Sequence, residues 1–451
     1  MRRLLPILAA AAALAALIAG AAPAEARIGL SQAHGFAPHQ VVVKFDGERT
    51  ARKLRLPAGV SVRERVAALR EDPAVEYAEP NYVATASAAG SSTFLVPNDP
   101  GTLEGPAEAA ASLGDWAVKQ WNFLGFEGES SGRLPTSPGG IDALDAWRHL
   151  GEVGRPGAEG VTVAVLDTGI AYRSLGSGFG RSPDFGARQF VPGYDFIDKD
   201  RVPLDENGHG THVAGTIAEK TDNGVALTGL AYGAKLMPVR VLNRQGRGDA
   251  TTIAKGIRFA VAHHAQVINM SFNFGCGKKV PVVDEALREA YARGVVAVAS
   301  AGNIGSEACV SEPATGPRVI AVGGSTEGGC LGNYSLAGTA IDLLAPGGGS
   351  PAAGCLSISA RPIYQVTLKP GSTSEFTIPG NYVGTSMAAA HVAGVTAMVL
   401  ASGVLGPQPT PQARVNSVIR RLRSTARSLS LPSTQQGAGL INAGAATDPS
   451  L

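Results

Sequence analysis

Apolar runs alternate with stretches of helical periodicity through the C-terminal three quarters of the chain, and this alternation most limits the possible folds. The runs predict strands at 161–166, 234–241, 267–271, 295–299 and 319–323. Helices are predicted at 210–218, 251–265, 282–293 and 386–401. Strands that are apolar on both faces are typical of a parallel sheet covered by helices on each side. We therefore expect an α/β domain with a mostly parallel sheet. The Gly/Ser/Pro-rich segments 101–139 and 348–381 are expected to be surface insertions.

A smaller unit precedes this domain. Residues 40–45 (QVVVKF) predict a strand, 62–71 a helix and 75–83 a second strand, and 84–92 are small and polar as linkers are. An α+β unit of this size is marginally stable alone. We therefore expect it to be a prosegment that packs on the larger domain.

The first residues resemble a targeting segment. Arg2 and Arg3 precede an Ala/Leu-rich run over 4–22, and Ala24-Glu25-Ala26 fits a small-x-small cleavage pattern. A transmembrane anchor is the alternative, because the run approaches the minimum spanning length. The cleavage pattern favours a secretory signal peptide over residues 1–26. The mature chain is then expected to be secreted, without a membrane anchor.

Composition excludes some classes of protein. Charged residues are 17% and hydrophobic residues 44% of the 451, which excludes a charge-rich disordered chain. The net charge of +2 gives no support to a nucleic-acid partner. Nothing demands more than a monomer. Four cysteines suit two disulfides in an exported domain, with three pairings possible.

Three Gly-flanked motifs carry residues suited to catalysis: Asp167 after a strand, His209 in NGHGTHVAGT, and Ser386 in GTSMA before a helix of small residues. Each has an ordinary alternative. Asp167 can be a turn residue, and Ser386 can be a helix N-cap. His209 and His212 can be metal ligands, although they lack the intervening Glu of the zincin motif. Taken together, Asp, His and Ser in this chain order match one of the known catalytic-triad orders.

The motifs DTGI, HGTHVAGT and GTSMA closely resemble those of the subtilisin-like serine peptidases, and the resemblance spans most of residues 97–446. It implies a three-layer subtilisin-like fold over 97–451, preceded by an inhibitory prosegment and linker over 27–96. It also implies Ser386 as nucleophile, His209 as general base and Asp167 as the group that orients His209. The implied activity is endopeptidase cleavage of polypeptides through an acyl-enzyme, by an enzyme made as an autoprocessed precursor whose own prosegment inhibits it.

The same resemblance implies further site residues. Asn303, in SAGN after an apolar strand, would donate its side-chain N–H to the oxyanion. The substrate would bind as an added strand between two edges, which we place at Ser271, Phe272, Asn273 and Gly248. The family usually has Gly at the position of Asn273 and Pro at the position of Ala390. With Asn273 the width of the pocket next to the scissile residue is open. With Ala390 we expect activity to survive, with acyl-enzyme partitioning open to change.

Carboxylate spacing predicts structural calcium, a cation that takes oxygen ligands. By resemblance, Asp99, Asp184 and Asn223 match one calcium site of the family. Asp195, Asp198 and Asp200 resemble the extra site of thermitase-type members. An exposed acidic loop is the alternative for this second group.

For the cysteines we favour the pairs Cys276–Cys309 and Cys330–Cys355. The first two follow active-site strands, where a bridge would brace the substrate-pocket rim.

Two other functions remain open at this point. A catalytically silent relative would act by binding alone, although the catalytic positions are intact. A secreted lipase or esterase would need G-x-S-x-G at the nucleophile and the order Ser, Asp, His, whereas Ser386 stands in G-T-S-M-A and follows Asp167 and His209.

Overall fold

A computed structural model of the protein describes residues 36–48, 51–57, 59–82, 96–103, 116–126, 134–176, 178–305 and 309–451. The predicted signal peptide, residues 27–35 of the predicted prosegment, and residues 83–95, which include the predicted linker 84–92, lie outside the described residues. The chain divides into two compact units, residues 1–90 and residues 91–451.

The first unit is a small α+β fold. Its strands are β1 (Phe36–Phe45), β2 (Arg52–Arg55) and β3 (Val75–Tyr82), which pair antiparallel in the order β2-β1-β3. Helix α1 (Val62–Arg70) begins after the N-cap Ser61 and buries its apolar positions with those of the sheet. The two predicted strands and the predicted helix are all present. Strand β2 was not predicted because RKLR has no apolar pattern.

The described part of the second unit contains a seven-stranded sheet whose strands all pair parallel, in the order β10-β9-β8-β7-β4-β6-β5. Its strands are β4 (Thr162–Asp167), β5 (Tyr194–Asp195), β6 (Lys235–Arg240), β7 (Val267–Met270), β8 (Val296–Ser300), β9 (Val319–Ser325) and β10 (Leu343–Pro346). A separate antiparallel pair is formed by β11 (Thr367–Leu368) and β12 (Phe376–Thr377). All five predicted strands belong to the large sheet.

Helices cover both faces of that sheet. They are α2 (Trp116–Lys119), α3 (Ala143–Glu152), α4 (His209–Ala218), α5 (Ala250–Ala262), α6 (Pro281–Ala292), α7 (Thr385–Ser402), α8 (Pro411–Ser424), α9 (Ser433–Gln436) and α10 (Ala443–Thr447). Short 3₁₀ turns occupy Trp121–Phe123 and Pro156–Ala158.

Side chains of each strand alternate between two cores, which explains why the strands are apolar throughout. In β4, Val163 and Val165 pack in the core that contains α3, α4 and α7. Ala164 and Leu166 pack in the core that contains α5 and α6. The fold is therefore the expected three-layer α/β arrangement.

Helix α7 lies in the middle of the first core, with 16 of its 18 residues buried. Among the described residues it is the one helix long and apolar enough to cross a membrane, and 89% of it is buried within the protein, as in a core helix. Ala390 lies within this helix and is fully buried.

One predicted surface insertion is largely internal. Trp116, Trp121 and Phe123, from the segment 101–139, are at most 1% exposed. The indole N–H of Trp116 donates to the Pro97 carbonyl and that of Trp121 to the Pro362 carbonyl. Part of this segment is therefore core, although Val118 within it is exposed, and the Gly/Ser/Pro content of the segment misled the prediction.

Both predicted disulfides form. Cys276 and Cys309 have Cα atoms 5.9 Å apart, and Cys330 and Cys355 have Cα atoms 6.2 Å apart. The predicted pairing is confirmed.

Candidate active site

Asp167 and His209 meet at the end of β4, an inner strand of the sheet. Asp167 is the last residue of β4 and is fully buried, and His209 is the first residue of α4. The Nδ1 atom of His209 lies 2.8 Å from Oδ1 of Asp167. Burial lowers the pKa of His209, but the charge of Asp167 and this hydrogen bond outweigh it and raise the pKa overall. Because Nδ1 is held by Asp167, Nε2 is the ring nitrogen left for other partners.

A glycine allows this close approach. A Cβ at Gly210 would lie 2.1 Å from the carbonyl oxygen of Gly169, so no larger residue fits between α4 and the turn after β4. The Gly210 N–H donates to Thr168 Oγ1 at 3.0 Å, and that hydroxyl donates to Asp205 Oδ1 at 2.9 Å. These bonds fix the start of α4 against the end of β4.

Asp205 was missed by the sequence analysis. Its carboxylate is 1% exposed and accepts the Gly208 N–H at 3.0 Å and the Thr211 N–H at 2.9 Å. It thus satisfies free N–H groups at the start of the helix that carries His209. An acidic residue shortly before a helix start was the available signal.

Ser386 is the second residue of α7 and is 8% exposed. Its hydroxyl donates to the Ser271 carbonyl at 3.0 Å, and the Ser271 hydroxyl donates to the Ser386 carbonyl at 2.8 Å. Ser271 directly follows β7, so this pair of bonds joins α7 to the end of the sheet. In this conformation the Ser386 hydroxyl is directed to Ser271 rather than to His209.

Asn303 follows strand β8 and has a fixed amide orientation. Its Oδ1 accepts the Thr385 N–H at 2.9 Å and the Thr385 hydroxyl at 2.7 Å. The carboxamide oxygen is thereby occupied, and the Nδ2 hydrogens remain for another acceptor. Gly384 stands at φ 150°, and a Cβ there would lie 3.0 Å from Nδ2. Thr385, which the sequence analysis did not single out, therefore orients Asn303, and Gly384 leaves space beside it.

His209, Asn303 and Ser386 line one cavity of about 450 Å³. Its other wall comes from the predicted insertion and the residues after it, and includes Leu368 and Tyr382. The insertion is therefore part of the cavity rather than a remote surface loop.

His212 supports this wall instead of sharing a metal with His209. Its ring stacks on Tyr382 with centroids 4.0 Å apart, and its Nε2 lies 3.1 Å from the Ile363 carbonyl oxygen. Burial lowers the pKa of His212 to about 3, so the ring is neutral. The alternative of a two-histidine metal site does not fit these contacts.

The predicted substrate residues lie at two edges near the ends of β6 and β7. Ser271, Phe272 and Asn273 follow β7, and Asn273 is exposed, with its Oδ1 accepting the Gly275 N–H at 3.0 Å. Gly248 directly precedes Asp249, the N-cap of α5. The Asn273 side chain is held in its own turn, and its role with substrate stays a prediction.

The three residues predicted for the first calcium site, Asp99, Asp184 and Asn223, lie close together. The Asn223 N–H donates to Asp99 Oδ1 at 3.0 Å, and Asn223 Nδ2 donates to Asp184 Oδ1 at 2.8 Å. Both carboxylates are fully buried. Burial, with Asp99 nearby, raises the pKa of Asp184 to about 8.

Glu219, which sequence reasoning missed, is also fully buried, and neither of its carboxyl oxygens has a hydrogen-bond partner among the described residues. Burial and the charges of Asp184 and Asp99 raise the pKa of Glu219. In the described residues no three His, Cys, Asp or Glu side chains are close enough to hold a metal alone. Two buried carboxylates beside an amide nevertheless fit a hard cation that also takes backbone carbonyls.

At the predicted second calcium site, two of the three aspartates have a buried arginine as partner. Arg240 is 4% exposed, and its Nη1 lies 2.9 Å from Asp195 Oδ2 and 2.7 Å from Asp198 Oδ2. Asp200 accepts the Val202 N–H at 2.7 Å instead. The guanidinium supplies positive charge at this loop, which favours the alternative without an ion, and calcium at these three aspartates stays a prediction.

Comparison with known proteins gives consistent matches. The model of the subtilase family, Peptidase_S8, matches residues 158–439. The thermophilic serine proteinase of Bacillus sp. (strain AK1) is 32% identical over 79% of this chain and 71% of its own length. Thermitase of Thermoactinomyces vulgaris is 32% identical over 68% of this chain and 93% of its own length. A solved protease structure from Pseudoalteromonas arctica PAMC 21717 is 29% identical, with a TM-score of 0.58, over 78% of this chain and 99% of that one.

Proposed function

The chain belongs to the subtilase family and is a serine-type endopeptidase acting on polypeptides, and on this premise we propose that Asp167, His209 and Ser386 are its catalytic triad. The observation that carries the proposal is the 2.8 Å hydrogen bond from His209 to a fully buried Asp167, at a cavity that Ser386 and Asn303 share.

In the proposed reaction the Ser386 hydroxyl leaves the Ser271 carbonyl and turns to Nε2 of His209. His209 takes the hydroxyl proton as Ser386 Oγ attacks the scissile carbonyl, and later gives that proton to the leaving amine. Asp167 holds the ring in the required tautomer and stabilises the imidazolium. The raised pKa of His209 is consistent with such stabilisation.

The oxyanion of the tetrahedral intermediate is proposed to accept two hydrogen bonds. One comes from Nδ2 of Asn303, whose oxygen is occupied by Thr385, and the other from the Ser386 backbone N–H near the start of α7. Donors fixed before the reaction need no reorganisation as charge develops.

Substrate is proposed to enter as an extended strand between Gly248 and the Ser271–Asn273 edge. Backbone hydrogen bonding of this kind tolerates many sequences. The acyl portion lies at these edges and the leaving amine in the cavity walled by residues 368–383.

Calcium is proposed to bind at Asp99, Asp184 and Asn223. A bound cation would offset the repulsion of buried carboxylates there. These residues would then tie the segment before Gly101 to the loop after α4, whose Asp222 and Asn223 N–H groups already bond to Asp99.

Secretion and autoprocessing complete the proposal. The predicted signal peptide and the two disulfides support an oxidising destination. The first unit folds around its own small core, as a prosegment would. We assign it as an intramolecular inhibitor that is cut off within the segment 84–96.

The test compares the full-length chain with a Ser386→Ala copy, both expressed with calcium. The wild type is expected to lose its prosegment by mass and to digest casein, while the variant stays full length and inactive. If the wild type also stays intact and inactive, the triad assignment fails. If the Ser386→Ala chain digests casein, a residue other than Ser386 is the nucleophile.

A further inference from the structure

A second groove, of about 610 Å³, lies beside the edge strand β5 and helix α5, and we call it the α5 groove. Its wall is aromatic. The rings of Tyr194, Phe196 and Phe259 have centroids 4.7 to 5.9 Å apart, and His263 stacks on Phe259 at 3.8 Å. None of its lining residues lines the catalytic cavity.

Three cations border these rings. Lys199, Arg201 and Lys255 line the groove and are exposed. In the part of the chain that the structure describes, none of the three forms an ion pair with a carboxylate. Their charge is therefore available to a ligand.

Nearby carboxylates have other partners. Asp198 pairs with Arg240 at 2.7 Å, and Glu206 pairs with the same guanidinium. Asp200 accepts the Val202 N–H at 2.7 Å, and it lies outside the groove lining. The charged residues that line the groove are Lys199, Arg201 and Lys255, so the lining combines cations with an aromatic wall, which suits a ligand bearing carboxylates and rings.

The lining of the groove on helix α5 begins at Thr252, four residues after Gly248 at one of the two proposed substrate edges. Helix α5 starts just after Gly248, and Thr252, Lys255, Phe259 and His263 all line the groove at helical spacing along one face. At about 1.5 Å per residue, Lys255 and His263 lie about 10 and 22 Å along the helix from Gly248. An extended peptide covers these distances in about three to seven residues.

We propose that the α5 groove is an exosite for an acidic, aromatic-containing segment of the polypeptide substrate, several residues N-terminal to the scissile bond. Substrate carboxylates pair with Lys199, Arg201 and Lys255, while its rings pack on the aromatic wall. This inference rests on the proposed function, because it requires substrate at the Gly248 edge.

The test uses fluorogenic peptides that share one cleaved core. One carries an N-terminal extension of Glu and Tyr, a second has Gln in place of each Glu, and a third carries the acidic extension at its C-terminus. The wild type is expected to cleave the first with kcat/KM about three- to tenfold above the second, the size of a few exposed ion pairs. This preference should vanish near 1 M salt, where the Debye length is about 3 Å.

The variant Lys199→Gln/Arg201→Gln/Lys255→Gln should lose the preference and keep its kcat/KM for the neutral peptide. A matched control, Arg288→Gln/Arg293→Gln/Arg420→Gln, removes the same charge from exposed positions outside the groove and should keep the preference. An equal loss in the control would overturn the inference, since net charge alone would then explain it. So would a preference for the C-terminal extension.

Binding provides a readout independent of catalysis. The Ser386→Ala chain is titrated with the acidic extension peptide alone, with and without the three groove substitutions. Loss of binding on substitution supports the exosite. Binding of a sulfated polysaccharide but not of the peptide would overturn it. If the neutral peptide is not cleaved at all, the proposed function fails; if it is cleaved without acidic preference, only the exosite fails.

Discussion

Replacing Thr385 by Val isolates the contact that orients Asn303. Val keeps the shape of Thr but removes the hydroxyl that donates to Asn303 Oδ1 at 2.7 Å, while the backbone N–H still donates at 2.9 Å. Losing one such hydrogen bond costs about 0.5–1.5 kcal/mol. If that cost falls on the transition state, kcat falls about two- to thirteenfold. Losing the Asn303 donor itself, in Asn303→Ala, should cost about a hundred- to a thousandfold.

The assay is steady-state hydrolysis of a short peptide, with KM expected to change little because the oxyanion exists only in the transition state. Thr385→Ser retains the hydroxyl and should recover most of the rate. The Thr385 hydroxyl also accepts the Gly302 N–H at 3.2 Å, so the unfolding temperature of each variant is measured alongside.

A double-mutant cycle tests the reasoning directly. In an Asn303→Ala background, Thr385→Val should have almost no further effect on kcat, because its partner is gone. If it lowers kcat by the same factor in both backgrounds, Thr385 does not act through Asn303, and the assigned amide orientation is refuted.

Three further predictions follow from the site and its supports. Because Asp167 raises the pKa of His209 and the base form is needed, kcat/KM should be lost as pH falls through a midpoint above 6.5, and Asp167→Asn should move that midpoint down in a pH–rate profile. Burial raises the pKa of Asp184 to about 8, so the folded protein holds this proton more tightly than the unfolded chain does. With calcium removed by a chelator, the unfolding temperature should therefore fall as pH rises from about 4 to 8. Asp184→Asn should weaken that slope, and should also remove the calcium-induced rise seen by calorimetry. Replacing Cys276 and Cys309 by Ser opens a loop of 33 residues and should lower the free energy of unfolding, measured in denaturant, by about 3–4 kcal/mol.

The local pattern of apolar residues was sufficient to predict most strands of the large parallel sheet. The five predicted strands of the large sheet carry continuous apolar runs, which are typical of buried parallel strands. Strands β5 and β2 could not be predicted in this way, because two residues or a polar RKLR give no periodicity. Their pairing is set by the neighbouring strands rather than by their own sequence.

In the candidate active site, too, some residues could be predicted from local sequence and others could not. Asp167, His209 and Ser386 were predicted because each stands in a Gly-flanked motif. The contact of Thr385 with Asn303 could not be derived, because a threonine at a helix start has an ordinary capping role and only its distance to Asn303 shows the orienting contact. Asp205 does have such a capping role, and its place before α4 was a signal that the sequence analysis did not use.

Arg240 shows why carboxylate spacing alone cannot identify a metal site. Asp195 and Asp198 repel each other in isolation, and a sequence window around them contains no buried cation that could offset this. Parallel pairing of β5 with β6 places Asp195 opposite Arg240, more than forty positions along the chain. A buried guanidinium and an ion satisfy the same electrostatic demand, so the choice between them depends on which residue the adjacent strand contributes. For this reason the Asp99–Asp184 site, whose buried carboxylates share no such arginine partner among the described residues, is the one where calcium is proposed.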